Sequence, residues 1–181
     1  MTNKIIGIQG DKLDKINISS DTSIFLAHEA QKLGYKIFYY TPSNLSIIKN
    51  KTYANGVFVK FNYERKKFYK IYKKQKIDVE NLKFILIRQD PPFNSEYLIT
   101  TLILDGLKKV KVINNPTAIR NVSEKLYSKH FIKFMPNTLF SNNIEEIKKF
   151  YKLNKSMIMK PINGYGGNQI HLIRNKFNKK L

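Results

Sequence analysis

In the first forty residues, apolar positions are grouped into segments that have the lengths of strands and of a helix. The apolar run at 4–8 has the length of a buried strand. Asp21 then stands where a helix N-cap is expected, and apolar positions within 22–33 recur at helical spacing. Gly34 follows as a typical helix-ending residue, and 35–40 forms a second apolar run. A strand, a helix and a strand at this spacing predict a βαβ unit and therefore a parallel sheet.

Between residues 45 and 76 the pattern changes to short apolar runs separated by polar residues. Asn55-Gly56, a pair that favours tight hairpin turns, lies among them. This segment therefore predicts antiparallel strands added to the edge of the sheet. The α/β alternation then continues with a helical turn at 78–80, a strand at 82–87, a helix from Asn94 or Ser95 to about Leu107, and a strand at 110–114.

After residue 120 the same alternation repeats on a smaller scale. Asn115-Pro116 interrupts the chain, and a helix that carries Lys125 is predicted around 124–131. The remaining predicted elements are a strand at 138–140, a helix at 144–151, and strands at 157–160 and 169–173. Two or three strands and one helix are too few to close a core. We therefore predict a first domain over 1–120 and an incomplete second unit over 121–181.

Composition limits the class of protein. The chain has 181 residues, of which 42% are apolar, enough for a folded core. It contains no cysteine, which excludes a disulfide framework and thiolate zinc sites. It shows neither an apolar run of membrane-spanning length nor a signal-peptide pattern, so we predict a cytoplasmic protein. Its three histidines, His28, His130 and His171, are better explained as ordinary helix or surface residues than as catalysts or metal ligands.

The net charge of +20 has two interpretations. One is nucleic-acid binding through phosphate contacts, and the other is a lysine-rich composition that affects the whole surface. The lysines are spread along the entire chain, which favours the second interpretation. The densest basic run, 65–74, contains aromatic residues at a spacing that suits sheet packing better than base stacking. Nucleic acid is therefore not an expected partner.

The clearest chemical signal is the segment 157–167, in which an apolar run leads into Lys160-Pro161 and a glycine-rich loop. Glycine adopts positive φ angles and allows close approach of a ligand, and successive backbone N–H groups in such a loop can bind an anion. A lysine beside the loop supplies a full positive charge for a phosphate. Taken alone, the segment is equally consistent with a tight hairpin and an incidental lysine.

A second candidate site follows the predicted strand at 82–87, where Arg88 and Asp90 precede Pro91-Pro92. Ligands of open α/β sheets bind at the carboxyl ends of the strands. Arg88 is therefore a candidate for pairing with a substrate carboxylate. The alternative is a simple end to the strand, because two prolines cannot continue a sheet ladder.

Together and in this order, the motifs resemble those of the bacterial glutathione synthetases, which are ATP-grasp ligases. The resemblance covers nearly the whole chain. It rests on Gly10-Asp11, Ile16-Asn17-Ile18, Asp21-Thr22-Ser23, Arg88-Gln89-Asp90-Pro91-Pro92-Phe93, Asn114-Asn115-Pro116, Arg120-Asn121, Glu124-Lys125-Leu126, Lys160-Pro161 and Gly164-Tyr165-Gly166-Gly167. The chain departs from the family pattern at Lys12, where proline is usual, and at Gln89, where lysine is commoner.

The resemblance implies a Rossmann-like pre-ATP-grasp domain with a mainly parallel sheet, followed by an incomplete first α+β subdomain of an ATP-grasp fold. It implies ATP-dependent ligation of γ-glutamylcysteine and glycine through an acyl phosphate, by a homo-oligomer. The Mg²⁺ ligands are expected in a C-terminal part of the family's chains that these residues do not include. The 181 residues alone are therefore expected to be an inactive N-terminal fragment. The alternatives are another ATP-grasp carboxylate–amine ligase and a basic nucleic-acid-binding or scaffold protein without catalysis.

The resemblance also assigns roles to individual residues, although it assigns no catalytic side chain and no metal ligand. Lys125 and Lys160 are expected to contact the phosphates of ATP, beneath a loop formed by Gly164, Tyr165, Gly166 and Gly167. The expected substrate-binding residues are Arg88, Asp11 and Ser23. Outside the family motif, Lys125 and Lys160 would each be interpreted as ordinary solvated lysines.

Overall fold

The computed structural model describes residues 4–63 and 67–174. The chain divides into two compact units, with the boundary between Asn121 and Val122. Within the described residues, the first unit contains a seven-stranded sheet and three α-helices, and the second contains a two-stranded sheet and one α-helix. No helix in the described ranges combines the length and the apolar character needed to cross a membrane.

The strands and helices of the first unit follow the α/β alternation of the sequence. The strands are β1 (Ile5–Gln9), β2 (Lys36–Tyr40), β3 (Leu45–Ile48), β4 (Lys51–Phe61), β5 (Tyr69–Asp78), β6 (Phe84–Ile87) and β7 (Lys111–Ile113). The α-helices are α1 (Thr22–Lys32), α2 (Ser95–Asp105) and α3 (Pro116–Asn121). Single 3-10 turns lie at Leu13–Lys15, Pro42–Asn44 and Val79–Asn81.

The sheet has a parallel half and an antiparallel half. Strands β2, β1, β6 and β7 are parallel neighbours in that order, an order that doubly wound α/β sheets share. Strand β4 runs antiparallel to β2, and both β3 and β5 pair with β4. This arrangement confirms the predicted α/β fold and the predicted antiparallel extension between residues 45 and 76.

The hairpin predicted at Asn55-Gly56 is wrong, because both residues lie within the continuous strand β4. The turn before β4 is instead made by Lys49 and Asn50, whose φ angles of 47° and 62° are left-handed. Gly56 has a different reason to be glycine. A Cβ atom there would lie 2.5 Å from Cζ of Phe38 and 2.6 Å from the carbonyl oxygen of Tyr39. Glycine therefore allows β4 to lie close against β2.

Each face of the sheet is covered by one helix. The face under α1 buries Ile6, Ile8, Ile24, Ala27, Ile37, Tyr39, Val59 and Phe61. The face under α2 buries Phe38, Tyr40, Ala54, Phe58, Val79, Leu82, Ile85, Ile87, Leu104 and Val110. All of these residues belong to the first unit, which therefore has a closed hydrophobic core.

The helix starts follow the capping residues that the sequence predicts. Asp21 caps α1 by accepting hydrogen bonds from the backbone N–H groups of Ser23 (2.6 Å) and Ile24 (3.1 Å). Asn94 caps α2 by accepting from the N–H of Tyr97 at 2.9 Å. Gly34, with φ of 82°, ends the first helix as predicted.

Asn115-Pro116 begins a helix, whereas the sequence predicted only a break in the chain. Pro116 is the first residue of α3, and the side chain of Asn115 accepts a hydrogen bond from the N–H of Ala118 at 2.9 Å. Proline is favoured at the first helical position because its missing N–H has no partner there in any case.

The second unit is less regular than predicted. It contains α4 (Ile144–Asn154), β8 (Ser156–Met159) and β9 (His171–Arg174), which pairs antiparallel with β8. The predicted helix around 124–131 is a 3-10 segment, Leu126–Phe134, with a kink at Phe131. The predicted strand at 138–140 is irregular, because no strand in the described part of the chain pairs with it. Among the described hydrophobic residues of this unit, Ile173 alone is buried.

Candidate active site

The first candidate site lies at the carboxyl ends of the parallel strands β1 and β6. The ladder continues one step beyond the strands, because the N–H of Arg88 donates to the carbonyl of Gln9 at 2.7 Å. On the other side of β1, the N–H of Gly10 donates to the carbonyl of Tyr40 at 3.1 Å. The residues that follow these strands, Asp11 and Arg88 among them, therefore leave the same edge of the sheet.

Arg88 is held by the first turn of α1. Its Nε donates to Oγ of Ser23 at 2.9 Å, and one terminal nitrogen donates to Oγ1 of Thr22 at 2.7 Å. The Asp21 cap fixes the backbone of that turn, so the two hydroxyls are positioned by the helix start. Both partners are neutral, and no ion pair within the described ranges includes Arg88. The guanidinium therefore lies at the strand ends without a direct ion pair, although its charge acts on the nearby carboxyl of Asp90.

Asp11 connects the two strand ends. Its side-chain Oδ2 accepts a hydrogen bond from the N–H of Asp90 at 2.8 Å, and its carbonyl accepts from the hydroxyl of Tyr39 at 2.6 Å. A Cβ atom at Gly10 would overlap the Tyr39 hydroxyl, so glycine is needed beside this contact. The structure thus brings together Asp11, Ser23 and Arg88, the three residues that the family resemblance implied for substrate binding.

The carboxylates at this edge repel one another and so disfavour further ionisation there. Burial raises the pKa of the Asp90 carboxyl, the negative charges of Asp11 and Asp21 raise it further, and Arg88 lowers it. The pKa of the Tyr39 hydroxyl is also raised, first by burial and then by the same carboxylates. An additional positive charge at this edge would therefore be favourable.

A buried pair of amide side chains lies beside this site, at the ends of β1 and β6. This pair was not predicted from the sequence. Nε2 of Gln9 donates to Oε1 of Gln89 at 2.7 Å, and both side chains are buried. Gln89 also lies 3.5 Å from Oγ1 of Thr100 on α2. The available signal was a glutamine at the end of the apolar strand β1, since a buried amide requires a hydrogen-bonding partner.

Two other residues near this edge were not selected from the sequence. Phe93 and Tyr97 form a tilted ring pair with centroids 5.1 Å apart at the start of α2. Burial raises the pKa of the Tyr97 hydroxyl, Arg88 lowers it, and Asp11 and Asp90 raise it. Tyr97 therefore lies within the electrostatic influence of the charged groups that follow β1 and β6.

The second candidate site lies in the second unit, where the glycine-rich loop follows β8. Gly166 and Gly167 have φ angles of 59° and 77°, which are left-handed and strained for other residues. Two short turns shape the loop, with hydrogen bonds from the N–H of Gly164 to the carbonyl of Pro161 (3.2 Å) and from Asn168 to Tyr165 (3.1 Å). The loop is therefore more than the two-residue turn of a tight hairpin.

Lys125 reaches this loop from a distant part of the sequence. Its ammonium group donates to the carbonyl of Gly164 and lies 3.2 Å from the carboxylate of Glu124. Lys160 is exposed at the start of the loop, directly after β8, and the ring of Tyr165 is 39% exposed. The structure thus brings Lys125 to the glycine loop that Lys160 precedes. It describes no group of three or more His, Cys, Asp or Glu side chains, within residues 4–63 and 67–174, that could hold a metal ion.

Comparison with known proteins identifies two matching domain profiles. Residues 5–120 match the profile described as "Prokaryotic glutathione synthetase, N-terminal domain". Residues 124–181 match the profile described as "Prokaryotic glutathione synthetase, ATP-grasp domain".

Individual relatives agree with these profiles. The chain is 36% identical to a glutathione synthetase of Mesorhizobium japonicum over 163 residues, which are 90% of this chain and 52% of the relative. It is 34% identical to those of Buchnera aphidicola subsp. Acyrthosiphon pisum and Salmonella typhimurium, over 93% of this chain and 53% and 54% of the relatives. The chain therefore spans about half the length of these curated relatives.

Proposed function

The chain belongs to the prokaryotic glutathione synthetase family, and from this membership we propose that the protein catalyses the ATP-dependent ligation of γ-glutamylcysteine and glycine. The observation that carries the proposal is the placement of Arg88 between the hydroxyls of Thr22 and Ser23, beside Asp11, at the carboxyl ends of β1 and β6. In such a ligation, ATP phosphorylates the cysteinyl carboxylate, and the glycine amine then displaces phosphate from the acyl phosphate.

Arg88 binds a carboxylate of the dipeptide in this proposal. A guanidinium presents its N–H groups in a fixed planar fork that matches a carboxylate. The two hydroxyls hold that fork without neutralising it, and Ser23 is itself buried. Binding through Arg88 therefore requires little rearrangement of this side chain.

Asp11 and Asp90 bind the ammonium group of the γ-glutamyl residue. The carboxyl of Asp90 has a raised pKa, in part because Asp11 and Asp21 are near it. A bound ammonium would relieve this repulsion, as an opposite charge lowers the pKa of a carboxyl. The site would then recognise both charges of a zwitterionic amino-acid end, with Ser23 as a further polar contact.

Lys125, Lys160 and the loop 164–167 bind the phosphates of ATP. Phosphoryl transfer depends mainly on positioning and on charge neutralisation, which two lysines and a ring of backbone N–H groups can supply. The contact between Lys125 and the carbonyl of Gly164 ties the loop to one of its cations. The described residues do not supply an oxygen-ligand cluster for Mg²⁺, so no step is assigned to that ion here.

The test measures ADP release and glutathione formation by the purified enzyme with γ-glutamylcysteine and glycine. We expect ADP release only when both substrates are present, with glutathione identified by mass spectrometry. Arg88→Gln should raise KM for γ-glutamylcysteine by more than about tenfold, because it removes one partner of a charge pair with the substrate carboxylate. It should change KM for ATP by less than about twofold. Equal ADP release with amine acceptors other than glycine would instead indicate a different ATP-grasp carboxylate–amine ligase.

Three further parts of the proposal follow from the family rather than from contacts. The enzyme works in the cytoplasm, where ATP is available, and it assembles as a homo-oligomer. The 181-residue polypeptide alone forms no glutathione, since it corresponds to only about half the length of the family members it matches. Measurable glutathione formation by that polypeptide would contradict this last statement.

A further inference from the structure

Strand β5 gathers a dense group of lysines at the outer edge of the sheet. It pairs with β4 alone among the described strands, so its other side is an open edge. Its lysines are exposed, and so are two further lysines where β4 ends and β5 begins. We call this surface the basic edge, made of Lys60, Lys67, Lys70, Tyr72, Lys73, Lys74 and Lys76.

Within residues 4–63 and 67–174, no acidic side chain forms an ion pair with the basic edge. The one acidic residue of β5, Asp78, accepts a hydrogen bond from the N–H of Glu80. Lys60 and Lys70 are direct cross-strand partners, and like charges in that position destabilise a sheet. A bound polyanion would relieve this repulsion.

Aromatic rings lie among these lysines. A register shift beside Phe58 leaves Tyr72 without a cross-strand partner, and its side chain is 55% exposed. Bulges of this kind redirect a side chain out of the ladder. Further along the strand, the ammonium of Lys76 lies 5.0 Å from the centre of the Tyr53 ring. Aromatic faces between cations are the usual surface for stacking bases.

A pocket of about 620 Å³ adjoins the basic edge where β4 ends and β5 begins. It is lined by Phe61, Phe68 and Tyr69 with Lys60, Lys67 and Lys70, and on the side of α1 by His28, Gln31 and Lys32. No carboxylate lines it among the described residues. This volume is typical of sites for small molecules and single bases.

We propose that the basic edge binds single-stranded RNA, with phosphates on its lysines and bases on Tyr72 and in the adjoining pocket. This activity lies beyond the proposed ligase reaction. The even distribution of lysines along the sequence argued against nucleic acid, and the aromatic residues of the densest basic run, 65–74, were interpreted as sheet packing. The fold changes this interpretation, because β5 has an open edge and Tyr72 is exposed on it. An acidic peptide would satisfy the lysines equally well but would leave the rings unused, and duplex RNA would keep its bases out of reach.

Lysines on an edge strand also oppose the addition of a strand from another chain. That role needs neither the exposed ring of Tyr72 nor the aromatic pocket. It also predicts no difference between RNA and any other polyanion, so binding measurements separate the two roles.

The experiment measures binding of a fluorescein-labelled single-stranded RNA 12-mer by fluorescence polarisation between about 50 and 300 mM KCl. The test variant is Lys70→Gln/Lys73→Gln/Lys74→Gln. Its matched control, Lys108→Gln/Lys109→Gln/Lys111→Gln, removes the same number of positive charges from exposed lysines outside the basic edge, in and just before β7. Each lost phosphate contact should reduce the magnitude of the slope of log binding constant against log salt concentration by about 0.7. The slope should therefore fall by about 2 in the test variant and stay almost unchanged in the control.

A second pair of variants tests the ring of Tyr72. Tyr72→Leu keeps an apolar side chain against Phe58 and should weaken RNA binding by about tenfold, whereas Tyr72→Phe keeps the ring and should bind like the unchanged protein. Equal losses in the two lysine variants, equal affinity for polyglutamate of the same length, or equal binding by Tyr72→Leu and Tyr72→Phe would each overturn the proposal.

Discussion

At the scale of single residues, glycine positions in this chain have different physical reasons. In the sequence Gly56 resembles part of a turn, yet it lies within β4. It must be glycine because a side chain there would overlap Phe38 and the backbone of Tyr39. Gly166 and Gly167 need their positive φ angles, as the sequence predicted for the loop. The difference depends on what lies across the sheet, which no local pattern of residues contains.

Gly56→Ala should lower the free energy of unfolding by about 1–3 kcal/mol, the usual cost of forcing extra volume into a packed site. Gly106→Ala is the matched control, because Gly106 has a right-handed helical conformation and a Cβ atom there would make only an ordinary contact, 3.6 Å from the carbonyl oxygen of Ile103. That control should leave stability unchanged or raise it by up to about 1 kcal/mol. Urea unfolding of both variants makes the comparison, and equal effects would contradict it.

Two carboxyl groups should affect stability in opposite directions as pH changes. Folding raises the pKa of Asp90, so its ionisation opposes folding once pH exceeds the ordinary aspartate value. Folding lowers the pKa of Asp105, chiefly through its hydrogen bond with Arg120, so its ionisation favours folding above that same value. Asp90→Asn should therefore raise Tm at pH 7, and Asp105→Asn should lower it.

Both differences should shrink as pH falls. The effect of Asp90→Asn should disappear below the ordinary aspartate pKa, and that of Asp105→Asn below the lowered pKa of Asp105. Calorimetry between pH 3 and pH 7 provides the measurement. A loss of stability in Asp90→Asn at pH 7 would show that its carboxylate has a favourable partner in the folded protein.

At the scale of elements, capping residues were predicted well, because each cap acts within its own helix turn. Asp21, Asn94 and Gly34 needed only local sequence. The strand predicted at 138–140 failed for the opposite reason, since a strand needs a partner and its own residues do not specify one. The buried pair of Gln9 and Gln89 was missed in the same way, because its two halves are far apart in the sequence.

The Asp21 cap connects helix stability to the candidate site. Asp21→Ala should cost about 1 kcal/mol of unfolding free energy. Under the proposed function it should also raise KM for γ-glutamylcysteine, because Thr22 and Ser23 hold Arg88. Asn143→Ala removes the corresponding cap from α4, where Asn143 accepts from two backbone N–H groups. It should cost a similar free energy and leave that KM unchanged. An equal rise in KM for both variants would contradict the connection.

At the scale of the whole molecule, the two units differ in how they are stabilised. Both hydrophobic clusters belong to the first unit, whereas the described part of the second unit buries only Ile173 among its hydrophobic residues. The sequence indicated this difference through the small number of elements after residue 120. The apolar residues of the sequence after position 120 did not indicate that most of their side chains would remain exposed.

A polypeptide of residues 1–121 should therefore fold alone and unfold cooperatively in urea. A polypeptide of residues 122–181 should show no cooperative transition, because its described residues close no core. Circular dichroism of both pieces checks this expectation. A cooperative transition in the second piece would show that its exposed apolar residues pack differently when it is isolated.

The two halves of the sheet should also form at different times during folding. Strands β2 to β5 follow one another in the chain and pair antiparallel with near neighbours, so they close short loops. The parallel pairing of β1 with β6 joins residues almost eighty positions apart, as Ile8 and Leu86 are partners. Contacts over long sequence separations form late because their loop-closure entropy is largest. Pulse-labelling hydrogen exchange should thus find the amides of β4 and β5 protected before those of β1, and the edge that carries Asp11 and Arg88 would be the last part of the sheet to acquire its native geometry.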